Sequence, residues 1–539
     1  MKINSKFFMI SFFMICFSFF FMFIIPIFLW GKLHFFLELT LFNSNSIFYN
    51  FIIYVDWVSL FFMNTVLIIS SLILIYSSEY MGKECQRFLW MTFFFIIFML
   101  IMILSPSILG VVLGWDGLGL ISFCLVIYYQ SLSSYNSGFI TAASNRVGDT
   151  MLIMSIVWSS MTGMFMFWDS VEGVLFFMFA CFTKSAQFPF STWLPAAMAA
   201  PTPISSLVHS STLVTAGIYM MIRFYENLLL SKIMNFMLII SLITILIAGV
   251  SALQEYDLKR LVAYSTLGQL GFMLMILSVG HIYIAFFHLL IHALFKALLF
   301  MCTGFIIHAS LGTQDMRKMG SLIMNPLILM SLNISLFSLM GVPFSSGFYS
   351  KDSLLELCMC SYGGVGLGVF MILMALVTIS YCIRILYYLC SNSSWFMWVS
   401  PSFKMNYSIL GLGLLNLICG GLLNWGFSEV YLICLDYYKF FPLIILVTGI
   451  IWHGQLNLNI NLKWLLFSII YVASLTKSMS ISMKWSFCLL KLFDQGWAEG
   501  ILLFNKNLIV KYSLFLKKSS ENTLIFNILG VSIIMTVLI

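Results

Sequence analysis

A chain of 539 residues that is 62% hydrophobic and only 8% charged, with a mean hydropathy of +1.05, lies outside the range of soluble domains. Its net charge of +7 is spread thinly over that length, which argues against nucleic acid as a partner. Twelve cysteines are scattered singly, and the nearest pair, Cys358 and Cys360, has no companion at zinc or iron–sulfur spacing, so they read as small core hydrophobes.

Apolar runs near 20 residues long can each cross a hydrocarbon layer of roughly 30 Å. About fifteen occur by window reasoning: near 8–30, 51–76, 88–105, 107–129, 138–160, 173–187, 204–225, 233–253, 260–279, 282–308, 321–342, 349–390 (read as two), 406–424, 438–452 and 523–539. The expected fold is therefore an all-α polytopic membrane protein. The first run follows Lys2 and Lys6, but it is too long for a signal-peptide core and shows no clear small-residue cleavage site, so it reads as a retained helix.

Ionisable residues inside such runs are functional candidates, because a charge at mid-membrane costs roughly 2.5–3.5 kcal/mol on insertion scales. Asp116 is the first, beside a small-residue face of Gly110 and Gly114. Arg146 and Asp149 are three residues apart and can pair on one helix face. Lys184 precedes a segment that holds four of the ten prolines, from Pro189 to Pro203. Proline breaks a helix, and broken backbone at membrane depth is tolerated only inside protein or beside a wet cavity. Lys184 and Asp116 have opposite charge, so pairing would relieve both. His209 follows among serines and a threonine that suit a wetted path.

Glu255, Asp257, Lys259 and Arg260 lie between two apolar runs and read as a solvated loop of low functional weight. His288, His292 and Lys296 then recur every four residues and stack along one helix stripe roughly 12 Å long. No Glu lies between the histidines as a zinc-protease signature would require, and bis-histidine haem would need partners on another helix, for which only His209 is a candidate. A second interruption at 340–352 contains Pro343 and Gly347 and leads into the adjacent Lys351 and Asp352. Two interrupted segments in corresponding halves point to a transporter of inverted repeats with ion sites near the breaks. From about 477 to 521 lysines are interspersed with apolar residues, which suits a long amphipathic helix on the membrane surface, and 522–539 reads as a final anchor.

The stretches NRVGD, TKSAQFPFSTWLPAAMAAPTPISSLVHSSTLVTAGIY, DLKRLVAYSTLGQLG, FHLLIHALFKALLFMC and GFYSKD resemble the chain 5 family of mitochondrial NADH–ubiquinone oxidoreductase, the distal antiporter-like subunits of respiratory complex I. The likeness extends over essentially the whole chain. It implies N-terminal transmembrane helices over 1–87, antiporter-like repeats over 88–230 and 231–395, further helices over 396–476, a lateral helix over 477–521 and an anchor over 522–539. It also implies a proton path that begins at Asp116 and Lys184 with Asp149 nearby, with Arg146 and Asp352 as supporting ion pairs. The path runs on through His209, His288, His292 and Lys296 and leaves by Lys351.

The family often has Glu where Asp116 stands, and the N-terminal region reads as one helix short of longer members. No cofactor is expected on this chain, since it carries no dinucleotide-binding fingerprint, cluster cysteines or flavin motif. NADH, FMN, iron–sulfur clusters and ubiquinone would be handled by other subunits. The implied partners are the other complex I subunits, especially the neighbouring antiporter-like chain 4, and membrane lipids. The implied location is the mitochondrial inner membrane. The competing readings are a subunit of a multi-subunit cation/proton antiporter, and a scaffold whose buried charges only hold helices together.

Overall fold

The computed structural model describes residues 2–44, 47–82, 85–161, 173–320, 325–360, 364–390, 402–426, 440–452, 484, 488–489, 491–493, 496 and 499–519. The chain divides into two units, Met1–Ile469 and Ile470–Ile539. Helices dominate the first unit. It opens with α1 (Lys2–Gly31), which packs along α2 (Trp57–Tyr80).

Between these two helices lies an antiparallel hairpin of β1 (Phe35–Ser44) and β2 (Ile47–Val55), with Phe35 opposite Val55 and Ser44 opposite Ile47. The N-terminal region is thus not helical throughout, and the run expected to cross the membrane from residue 51 is strand as far as Val55. The helix starts where a cap permits it. Asp56 Oδ1 accepts from the Ser59 amide at 2.9 Å, and Ser59 Oγ accepts from the Asp56 amide at 2.9 Å, a reciprocal capping box.

Next come α3 (Cys85–Leu104), α4 (Ile108–Val126), α5 (Leu132–Met161) and α6 (Val174–Lys184). Lipid tails are as apolar as Leu, so helices here associate by close packing and polar contacts rather than by escape from water. Gly114 shows the packing: a Cβ built there would lie 2.6 Å from Met102 Cβ and 2.9 Å from Met102 Cα, so α3 and α4 approach almost backbone to backbone.

The proline-rich segment is broken, as expected. It holds two short helices, α7 (Trp193–Ala196) and α8 (Thr202–Ile204), then a π-helical stretch at Ser205–Thr212, and only then α9 (Leu213–Arg223). A short α10 (Tyr225–Leu230) leads to α11 (Met234–Ala252), α12 (Leu258–Val279) and α13 (Ile282–Ala309). The second break separates α14 (Pro326–Met340) from α15 (Ser346–Cys360), and α16 (Gly364–Cys390), α17 (Phe403–Gly426) and α18 (Phe441–Trp452) complete the described part of the unit. The centre is α13, which touches α2, α12, α14, α15, α17 and the π-helical stretch.

Among the described residues nine helices are long and apolar enough to cross a membrane, and three shorter apolar helices accompany them, against the expected count of about fifteen. The two-helix reading of 349–390 matches α15 and α16. In the second unit the described helix is α19 (Glu499–Ser519), which carries Lys506, Lys511, Lys517 and Lys518 among apolar residues. The rest of the expected surface helix, apart from a few residues, and the whole anchor at 522–539 lie outside the described residues.

Two polar clusters close the ends of helices. Arg223, at the end of α9, reaches both Asp56 oxygens at 2.6 and 2.8 Å, and its Nε donates to the Tyr219 hydroxyl at 2.8 Å. Arg384 of α16 donates to the carbonyls of Ala252, Leu253 and Glu255, where α11 has run out of amide partners. The loop after α11 is therefore only partly solvated: Asp257 and Arg260 keep 36% and 47% of their side chains exposed, whereas the other two charges do not. Glu255 and Lys259 are each 5% exposed. Burial raises the Glu255 carboxyl above its usual range, and the Lys259 ammonium donates to Ala200 O at 3.2 Å.

Candidate functional site

Lys184 ends α6 immediately before the first break, and it is 1% exposed. Its ammonium donates to Trp115 O at 3.3 Å and lies 5.1 Å from the Trp115 ring centre. The expected direct pair with Asp116 does not form within 4 Å, although Asp116 is the residue after Trp115. The ammonium rests instead on the Trp115 backbone carbonyl next door. Asp149 is also held firmly: the Trp115 indole donates to Oδ1 at 2.9 Å, and Arg146 pairs with Oδ2 at 3.2 Å, as its i,i+3 spacing foretold. Asp116, Arg146, Asp149 and Lys184 thus form one group around Trp115.

The second group centres on α13. His288 bonds Ser350 Oγ at 2.9 Å through Nδ1 and Gln269 Oε1 at 3.0 Å through Nε2. Lys296, two positions along the stripe, donates to Ser265 Oγ at 2.6 Å. Lys351 sits one residue after Ser350 on α15 and donates to Thr378 Oγ1 at 2.9 Å and to Leu339 O at 3.2 Å. The Leu339 carbonyl is free to accept because the helix breaks just after Met340. Lys351 is buried, at 6% exposure, so it does not belong to an exposed turn.

Asp352 does not serve as the ion pair expected of it. Successive helix residues point about 100° apart, and Oδ1 of Asp352 is buried with no hydrogen-bond partner among the described residues. The described ion pairs include none with Lys184, Lys296 or Lys351.

Two histidines stand apart in their bonding. His209 lies in the π-helical stretch with its ring 6.0 Å from that of Trp193, and His292 lies 6.4 Å from His288, ring centre to ring centre. All four of their ring nitrogens are buried without a hydrogen-bond partner among the described residues. Such groups are costly unless water reaches them. Elongated π-helical turns are a frequent mark of functional sites. In this one the Thr212 hydroxyl donates to Leu207 O, five residues back, at 2.7 Å.

Sequence reasoning missed Ser265, Gln269, Ser350 and Thr378, the neutral groups that hold the charged ones. Among the described residues no cluster of three or more His, Cys, Asp or Glu is placed to hold a metal.

Residues 105–380 match a family described as NADH:quinone oxidoreductase/Mrp antiporter, and residues 41–89 match the chain 5 N-terminus of NADH–ubiquinone oxidoreductase (complex I). NADH–ubiquinone oxidoreductase chain 5 of Aedes aegypti is 42% identical over 95% of this chain and 94% of its own length. The protein of the same name from Locusta migratoria is 42% identical over 86% of each chain, and that from Lumbricus terrestris 38% identical over 86% of each. Among solved structures, the Mrp complex from Dietzia superposes with a TM-score of 0.75 at 23% identity, covering 90% of this chain and 58% of that one. A chain of the membrane-bound sulfane sulfur reductase, an archaeal respiratory membrane complex, superposes with a TM-score of 0.64 at 18% identity, covering 76% of this chain and 86% of that one.

Proposed function

The chain belongs to the NADH–ubiquinone oxidoreductase chain 5 family, and from that membership we propose that its two buried polar groups are stations on one proton route. The protein is a multi-pass, proton-translocating membrane subunit of complex I, and its partners are other subunits of that complex. Proton entry belongs to the group of Asp116, Asp149 and Lys184, and release belongs to Lys351. His209, His288, His292 and Lys296 carry charge between them, with the Arg146–Asp149 pair setting the field at the entry. The inner mitochondrial membrane is the compartment, and the antiporter-like chain 4 the neighbour. No redox cofactor is assigned to this chain; NADH, FMN, iron–sulfur clusters and ubiquinone belong to other subunits, so its share in catalysis is the pump. Residues 88–230 and 231–395 act as the two repeats, each with one break, and the helices of 1–87 and 396–476 flank them. The 477–521 segment clamps neighbouring subunits and 522–539 anchors it.

The observation that carries this reading is a set of three lysines buried within the breaks and the central helix, Lys184, Lys296 and Lys351, held, like Lys259 at the start of α12, by carbonyl or hydroxyl oxygens with no carboxylate within 4 Å among the described residues. An unpaired buried ion is strongly destabilising, and what sets these three apart from Lys259 is that they lie along one line of buried histidines and hydroxyls. In this arrangement the energy of a charge at one station depends on the charge at the next. Moving one charge against 100 mV requires about 2.3 kcal/mol, which modest coupling between neighbours can supply.

Lys184→Met tests the route. In NADH-energised vesicles holding the assembled complex, the variant should lose most proton uptake per NADH oxidised while the complex retains its size on a native gel. Undiminished uptake would sink the assignment.

A further inference from the structure

Trp115 of α4 touches two opposite charges of the entry group, each with a different part of its ring. The Lys184 ammonium stands over the ring face, 5.1 Å from its centre, and donates to the Trp115 carbonyl at 3.3 Å. The indole N–H, on the ring edge, donates to Asp149 Oδ1 at 2.9 Å. An aromatic ring is negative on its face and positive at its edge, so it can stabilise a cation and an anion without letting them meet. Trp115, Lys184 and Asp149 are all buried, so bulk solvent does not supply these contacts.

The two charges leave neighbouring points of helices in contact. α5 and α6 abut at Gly148 and Thr183, the residues just before Asp149 and Lys184: a Cβ built at Gly148 would run into the Thr183 hydroxyl. On the α4 side, a Cβ at Gly119, one turn beyond Trp115, would lie 3.3 Å from the Lys184 ammonium. Pairing would thus require a side-chain rotation rather than a shift of helices. What holds the carboxylate elsewhere is a donor on each oxygen, the indole on Oδ1 and Arg146 on Oδ2 at 3.2 Å. Arg146 is exposed and the indole is buried, so the indole is the donor that solvent cannot replace. A direct buried pair would be a trap, because a carboxylate in contact favours a charged lysine and keeps its proton in place.

We propose that Trp115 is a positioning residue of the entry group: its indole N–H keeps Asp149 off Lys184, so that the lysine proton stays transferable. This role rests on the proton route proposed above, and Trp115 itself neither carries nor exchanges a proton.

Two replacements separate the N–H from the bulk of the ring. Trp115→Phe keeps an aromatic face and removes the donor. Trp115→His keeps a five-membered ring with Nε2 at the ring position that Nε1 occupies in indole, and so returns a donor. In NADH-energised vesicles holding the assembled complex, Trp115→Phe should lower proton uptake per NADH about tenfold, in line with the worth of a hydrogen bond to a charged group. Trp115→His should recover much of that loss, although its side chain is the smaller. Equal losses in the two variants would mean that the ring only fills space and would overturn the proposal, as would full uptake in Trp115→Phe. Lys184→Met measured alongside separates this role from the route itself. Full uptake there would remove the route, whereas its loss beside an unaffected Trp115→Phe would remove only the role of Trp115. Should neither tryptophan variant assemble, a map of the intact wild-type complex that resolves these side chains decides the matter. Asp149 on the indole N–H with Lys184 unpaired would support the role, and Asp149 in contact with the Lys184 ammonium would overturn it.

Discussion

Ser265 holds the ammonium of Lys296 with a hydroxyl that itself donates to Val262 O. Lys184, His288, Lys296 and Lys351 stand out because an ionisable group in an apolar run is expensive and needs an explanation. Serine and threonine carry no such signal. In this protein most of them satisfy themselves locally, as Ser70 does on Leu67 O and Thr244 on Ser241 O. Ser265 also bonds its own helix, at Val262 O, yet it accepts from Lys296 as well. Only the placement of α12 against α13 separates it from the rest.

Its role is testable. Hydrogen bonds to charged groups contribute roughly 1.5–3 kcal/mol, so Ser265→Ala should lower proton uptake per NADH by about tenfold or more, while assembly is unchanged. Ser265→Thr should restore much of the loss. Equal uptake in Ser265→Ala and wild-type vesicles would remove Lys296 from the route or show that water replaces the hydroxyl.

At the level of elements, the breaks were legible because proline and glycine act on the backbone directly. The hairpin went unseen although a signal was present. Leu37, Leu39 and Leu41 alternate with Glu38 and Thr40, and the Asn-Ser-Asn-Ser sequence at 43–46 has the composition of a turn signal. A hydropathy window averages that alternation away. Just past the hairpin, the Arg223–Asp56 pair ties the start of α2 to the end of α9, with side chains only 13% and 9% exposed. Removing one member of a buried pair typically costs about 3–5 kcal/mol. Arg223→Met should therefore lower the thermal stability of the assembled complex, and the double replacement with Asp56→Asn should recover part of the loss. Additive losses in that cycle would count against a coupled pair. Gly114→Val applies the opposite stress: with Met102 already 2.6 Å from a Cβ at that position, α3 and α4 must separate, and overpacking of this kind costs about 1–3 kcal/mol. The expected readout is a lower yield of assembled complex on a native gel.

On the largest scale, contacts within the first unit sort its helix ends into two faces. One face holds the hairpin, joined to the start of α4 by Ile52 N on Ser107 Oγ, to the end of α9 by Arg223, and to the start of α13 by Trp57 against Tyr283. Lys32, Arg223 and Lys232 are its described cations. The opposite face gathers Arg87, Lys259, Arg260, Arg317, Lys318, Arg384 and Lys404, tied together by bonds such as Met316 N on Tyr256 O and Arg384 on Glu255 O. Basic residues concentrate on the side from which a membrane protein is inserted. The hairpin should therefore face away from the compartment of synthesis. A cysteine at Glu38 should react with a membrane-impermeant maleimide in mitoplasts, and one at Lys318 only after permeabilisation; the reverse pattern would invert the topology.

The four-residue spacing on α13 carries one more consequence. A helix turns about 400° over four residues, so the row precesses by roughly 40° at each step. His288 is thereby phased toward Ser350 and Gln269, while Lys296, two steps on, meets Ser265, one turn away from Gln269 on the same α12. The row is a short screw thread rather than a straight seam, and its pitch determines which neighbour each group can reach. Inserting or deleting a single residue between Ile291 and Phe295 would rotate one end by about 100° relative to the other. It would leave hydropathy and length almost untouched and still disengage one end from its partners.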